Sequence, residues 1–175
     1  MNTRKGLAAA AVVLGALSVS IWACDKAAAS TPAASDIAAA SAPAATHIDG
    51  NNFKVDTSVS DCTAGSECTG TVRLEALGGY HINDTYPYKL TVAGAEGGKT
   101  PDGVELLGKD PANKAVFGKN NGDFEKQAEK VAVVTVRFKA PKGKVAFAGK
   151  FKLSVCSEAN CQLDQADVSF EGVAK

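Results

Sequence analysis

From His47 onward, apolar residues recur at every second position, and that period restricts the chain to sheet. Asn52 to Val59 alternates through Phe53 and Val55, and Thr69 to Leu77 through Val72, Leu74 and Ala76. Val131 to Phe138 is the strongest apolar run. Val145 to Val155 follows the turn Pro141-Lys142-Gly143. Alternation of this kind buries one face of a strand and leaves the other in water. Tyr80 to Asn83, Tyr88 to Ala93, Val104 to Leu107 and Ala166 to Val173 are shorter candidates. Pro87 argues that its strand begins there or lies at an edge. Only Asp123 to Lys130 could form a helical turn, and it is too polar to bury a face. Short strands punctuated by Gly and Pro predict an all-β sandwich.

The chain before this region is of another kind. Arg4 and Lys5 precede the apolar run Gly6 to Ile21, the layout of a cleavable export signal. The run is too short to predict a retained spanning helix. It ends at Ile21-Trp22-Ala23-Cys24, which resembles the lipobox of bacterial lipoproteins. Cleavage before Cys24 and lipidation on it are therefore expected, giving a signal over 1–23. Trp22 stands where that motif usually carries a small residue. Residues 24–47 are mostly Ala, Ser, Thr and Pro, too poor in large apolar side chains to offset their ordering entropy. They read as a disordered tether, with His47 at its end, leaving 48–175 as the folded domain.

Five cysteines sharpen the reading. If Cys24 is lipidated, four remain to pair, and a signal with paired cysteines indicates an oxidising compartment outside the cytoplasm. Cys62 and Cys68 lie between the first two strands. Cys156 closes the strand running through Phe151, Leu153 and Val155, and Cys161 follows the polar turn Ser157 to Asn160. Local pairing is preferred because both segments look like tight loops. The rival is a bridge joining the two loops. Cys62 and Cys68 read as a structural staple. The tip pair closes so short a loop that its entropic contribution is modest, which points to a chemical role.

Other classes find no support. The 19 basic and 19 acidic residues cancel, so no basic stripe predicts nucleic acid. The C-x5-C spacing of the first pair and the isolated His47 and His81 fit zinc poorly, although the x4 of the second pair would pass. No hydrolase or nucleotide motif occurs, and no cofactor is expected.

From Val116 to the C-terminus, the sequence resembles the N-terminal periplasmic domain of the DsbD thiol:disulfide interchange proteins, the disulfide bond corrector domain. The matching pieces are Phe117-Gly118-Lys119, the run Val131 to Phe138, and Leu153-Ser154-Val155-Cys156 with Cys161. Tyr80-His81-Ile82-Asn83 with Tyr86-Pro87 resembles a segment of single-domain relatives. The family pair is typically C-x5-C with an aromatic before the second cysteine, whereas here the spacing is x4 and Asn160 precedes Cys161. The resemblance implies an immunoglobulin-like sandwich with Cys156 and Cys161 as its redox pair. It further implies that Cys161 joins to partners and that Val116 and Phe117 form a cap over the pair. A nearby Lys119 or Lys152 would favour a thiolate, and Glu158 would oppose one.

The expected function is a lipid-anchored, periplasm-facing relay in the bacterial envelope. It would pass reducing equivalents from a thioredoxin-fold partner to oxidised envelope proteins. The rival is a membrane-tethered binding or structural module with two inert disulfides.

Overall fold

The computed structural model describes residues 46–175; the expected signal, Cys24 and the expected tether up to residue 45 lie outside them. Eleven strands follow in chain order: β1 (His47–Asp49), β2 (Phe53–Val59), β3 (Glu67–Ala76), β4 (His81–Ile82), β5 (Lys89–Val92), β6 (Glu105–Leu106), β7 (Val116–Gly118), β8 (Phe124–Ala128), β9 (Val131–Lys139), β10 (Gly143–Cys156) and β11 (Cys161–Ala174). One sheet has the order β1-β2-β3-β9-β6, with β8 beside β6 on the same edge of β9. The other runs β11-β10-β5-β7, with β4 joining β10 ahead of β5. All these strand pairs are antiparallel. The architecture is an all-β, immunoglobulin-like sandwich.

The alternation explains the packing. Along β3, Cys68, Val72, Leu74 and Ala76 are buried, and β9 answers with Ala132, Val134, Val136 and Phe138. The second sheet presents Val145, Phe147, Phe151, Leu153 and Val155 from β10, with Ala166, Val168 and Phe170 from β11. Phe147 stacks on Phe170 at 4.6 Å and meets Phe138 of the other sheet edge-on at 5.2 Å, so aromatic rings join the layers. Burying each such ring contributes about 1.5–3 kcal/mol.

Three segments differ from the sequence expectation. Asp123–Lys130 is not helical: it supplies β8, an edge strand with a bulge between Lys126 and Ala128. Phe124 alone anchors it, stacking on Tyr88 at 4.3 Å. An edge strand with one large apolar contact leaves no alternation to detect. Asp123 itself is buried, accepting a 2.8 Å hydrogen bond from Arg137 Nη2. The helical turn falls instead at Lys119–Asn121, as one 3-10 turn.

His47 opens β1 rather than ending the tether. Its ring bonds to Asp56, a contact that raises the imidazole pKa above its ordinary value. The preceding Thr46 donates its N–H to Thr57 Oγ1 at 2.7 Å, and its hydroxyl lies 2.8 Å from Ser169 Oγ, tying the edges of the two sheets together. β7 is the third addition. It can lie against Tyr88 only because residue 118 is glycine: a Cβ there would stand 2.2 Å from the Tyr88 carbonyl oxygen.

Candidate functional site

The β10–β11 hairpin pairs fourteen residues on each side and ends at the tip turn Ser157–Asn160. Ser157 N–H donates to the Asn160 carbonyl at 2.8 Å, closing the turn, and Ser157 Oγ accepts from the N–H groups of Ala159 and Asn160. Counting back in alternation, Cys156 and Cys161 form a pair whose backbone groups point away from each other, the closer of the two antiparallel pair types. Their Cα atoms are 4.0 Å apart and a disulfide joins them. The second disulfide joins Cys62 to Cys68. The structure therefore carries local connectivity at both loops. Two disulfides indicate an extracytoplasmic compartment. Among the described residues, no helix is long and apolar enough to cross a membrane.

The alternation of β10 settles which way the tip pair faces. Phe151, Leu153 and Val155 point into the core, so Lys152, Ser154 and Cys156 belong to the outer face. There the two cysteines are unequal. Cys156 is 6% exposed, enclosed between β11 and β4, where His81 lies in register with it. Cys161 is exposed on the outermost strand. A reagent from solvent therefore meets Cys161 first.

A polar scaffold steadies this end of the hairpin. Buried Tyr88 donates its hydroxyl to the Ser154 carbonyl and accepts from the Asn83 N–H at 2.9 Å. Burial pushes this phenol well above its ordinary pKa, which keeps the donor protonated. Asn83 Nδ2 donates to Ser154 Oγ at 3.1 Å and lies 4.0 Å from Cys161 Sγ. Tyr80 reaches Asn160 Oδ1 at 3.3 Å. An amide N–H directed at a sulfur favours its anionic form. Nothing in the sequence pattern marked Asn83 or Tyr88 for these roles. The signal was their location beside His81 in the Tyr80–Tyr88 segment, which only the β4–β10 pairing brings to the tip.

Other expected site residues lie elsewhere. Phe117 is wholly buried in β7, paired with Leu90, and Val116 pairs with Thr91, itself level with Lys150. Six residues of strand separate Lys150 from Cys156, about 20 Å. Val116 and Phe117 do not cap the disulfide. Lys152 shares the outer face with Cys156 but is four residues away, about 13 Å. Lys119 bonds to the backbone carbonyl of Asp84, whose carboxyl the Lys126 ammonium, 2.7 Å away, holds below its usual range. Neither lysine attends the pair. Glu158 is exposed within the tip turn.

Cys62 and Cys68 occupy a different setting, 3% and 2% exposed within the core. Cys68 pairs with Phe138, and Cys62 accepts the Lys175 N–H at 2.9 Å, so this loop fastens the C-terminus. A groove of about 560 Å³ lies farther along the outer face, lined by Tyr86, Lys89, Asn113 and Lys152 among others. It does not reach the cysteines. Among the described residues no group of three or more His, Cys, Asp or Glu side chains is placed to hold a metal ion.

No family model matches the chain, and no curated protein matches it. Among solved structures it is similar to AggA, the major subunit of aggregative adherence fimbriae type I from Escherichia coli. The TM-score is 0.34 and the identity 9%, over 74% of this chain and 100% of that one. It is also similar to PapD-like domain 7 of human CEP192, with a TM-score of 0.27 and 12% identity, over 73% of this chain and 89% of that one. At such scores the fold description rests on the two sheets themselves.

Proposed function

We propose that the protein is a thiol-disulfide relay of the bacterial envelope, held to a membrane through lipidated Cys24, with Cys156 and Cys161 as its exchanging pair. The observation that carries this reading is the asymmetry of the tip disulfide, one cysteine exposed and the other buried.

That geometry supports the following exchange. A thiolate of a reduced thioredoxin-fold partner attacks Cys161 Sγ. The Cys156–Cys161 bond breaks, Cys156 leaves as a thiolate that takes up a proton, and a mixed disulfide joins partner to Cys161. The partner's second thiol, losing its proton, attacks the partner sulfur of that bond and releases Cys161. The partner ends as a disulfide and this domain as a dithiol. In the second half, Cys161 attacks an oxidised protein and Cys156 resolves the adduct, so two electrons pass on. The sole helical element described is one 3-10 turn away from the cysteines, so no helix dipole lowers a thiol pKa. That suits a relay better than a strong oxidant.

Cys156→Ser removes the resolving thiol, so in envelope extracts it should accumulate a covalent adduct with a thioredoxin-fold protein. The Cys156→Ser/Cys161→Ser variant should not. Absence of any adduct from Cys156→Ser would contradict the relay. The rival reading, a binding module with inert disulfides, has one observation in its favour. Lys89 and Lys152 face each other in register at the groove, and neither has an ion-pair partner among the described residues. Like charges directly opposed are destabilising, which a bound anion would relieve.

A further inference from the structure

β11 is the edge of its sheet: among the described residues β10 is its one strand partner, and Ala174 near its end forms a bridge with Cys62. The hydrogen-bond alternation set by the tip turn points the N–H and C=O groups of Cys161, Leu163, Gln165, Asp167 and Ser169 away from β10. The lower end of this edge is covered. Ser169 N–H donates to Thr46 Oγ1, and its carbonyl accepts from Thr57 Oγ1. Farther on, Lys175 exchanges backbone hydrogen bonds with Cys62 and Ala64. From Cys161 to Asp167, no strand or loop backbone among the described residues pairs with the edge, and only the Gln165 N–H is occupied, by Asp164 Oδ1.

An open edge of this length is a template for another chain, and folded proteins usually blunt one with lysine, proline or a bulge. This one has no lysine, proline or bulge from Cys161 to Asp167; it carries Asp164 and Asp167, and between Cys161 and Asp164 it exposes an apolar side chain. Leu163 is 67% exposed, and as the second residue after Cys161 it shares that residue's face. The open segment thus begins at the accessible sulfur and places its largest apolar side chain beside it. Glu158 and Asp164 flank it with negative charge.

We propose that this edge, with Leu163 as anchor, is where the redox partner docks. An extended segment of the thiol-bearing protein adds to the sheet beside β11, apolar opposite Leu163 and free of acidic residues opposite Glu158 and Asp164. Main-chain hydrogen bonds to Leu163 and Asp167 set its register, and that register delivers the partner sulfur to Cys161. The proposal rests on the relay reading, naming the surface through which the same disulfide is approached.

The test compares reduction of the full oxidised chain by purified thioredoxin and by dithiothreitol, in the wild type, Leu163→Asp and Val173→Asp. Val173, 59% exposed on the same strand but remote from the tip, is the control. Leu163→Asp should slow reduction by thioredoxin about tenfold, as loss of an interface anchor does. Its reduction by dithiothreitol, which needs no docking, should stay within about twofold of wild type. Val173→Asp should match wild type with both reagents. An unchanged thioredoxin rate in Leu163→Asp would overturn the docking surface and leave the relay standing. Equal slowing by both reagents would also overturn it, by showing that Leu163 acts on the bridge itself. If thioredoxin reduces the wild type no faster than dithiothreitol does, the relay fails and the docking surface with it.

Discussion

The two disulfides close loops of nearly the same size, with sequence separations of 6 and 5. Chain-entropy reasoning assigns each about 2 kcal/mol. Any difference in what they do must therefore arise in the folded state. Cys62–Cys68 lies in the core and fastens the C-terminal strand, so breaking it opens the end of the sandwich. Cys156–Cys161 lies on the outer face at a hairpin tip, with one of its two cysteines exposed. Breaking it leaves the neighbouring rungs of the β10–β11 ladder in place. Loop size alone would not distinguish a staple from a reagent; in the proposed relay, the surroundings of each cysteine do.

The largest expected effect is kinetic. In the folded protein, dithiothreitol should reduce the tip bridge at least about 100-fold faster than Cys62–Cys68, because the buried bridge must await a local opening costing about 3 kcal/mol or more. In denaturant the two rates should converge. Peptide mapping after timed alkylation measures both, and comparable native rates would erase the distinction.

Stability should divide the bridges in the opposite sense. Cys62→Ala/Cys68→Ala should cost about 3 kcal/mol, combining the lost loop constraint with lost core contacts, against about 2 kcal/mol for Cys156→Ser/Cys161→Ser. Urea denaturation of both variants checks the order.

A smaller effect concerns the scaffold of the tip. Tyr88→Phe deletes the hydroxyl between Asn83 and Ser154 and should cost about 1 kcal/mol at neutral pH. Burial raises the Tyr88 pKa in the folded state, so its protonated form contributes stability that is fully present below the unfolded phenol value and lost as pH rises through the folded one. Wild-type stability should therefore fall above about pH 10, and Tyr88→Phe should show less of that fall. Thermal unfolding across the alkaline range makes the comparison.

Much of the fold was legible because the large sheet strands are half-buried and alternate. β3, β9 and β10 show it plainly, and the local cysteine pairing was preferred from loop length. What escaped the sequence was short, polar or dependent on tertiary contact. β1 spans three residues and is held through Thr46, Thr57 and Asp56. β8 has Phe124 as its single large anchor. The site was legible only in part. The strand pattern put both cysteines at a tip, but which cysteine is exposed depends on β4 and β11 flanking β10. The expected cap failed for a related reason: Val116 and Phe117 join the sheet beyond β5, at a level far from the cysteines. Adjacency across a sheet depends on register, and no local pattern encodes it.

The central claim is that the tip bridge exchanges while the buried bridge does not, and an equilibrium redox titration of the full chain tests it most directly. Oxidised and reduced glutathione or dithiothreitol set the potential, and each bridge is followed by mass mapping of alkylated peptides. The account predicts that Cys156–Cys161 titrates above about −300 mV, in the range of exchangeable bridges, while Cys62–Cys68 remains oxidised until below it. If both bridges hold until below about −300 mV, the tip pair is a second staple and the relay is contradicted.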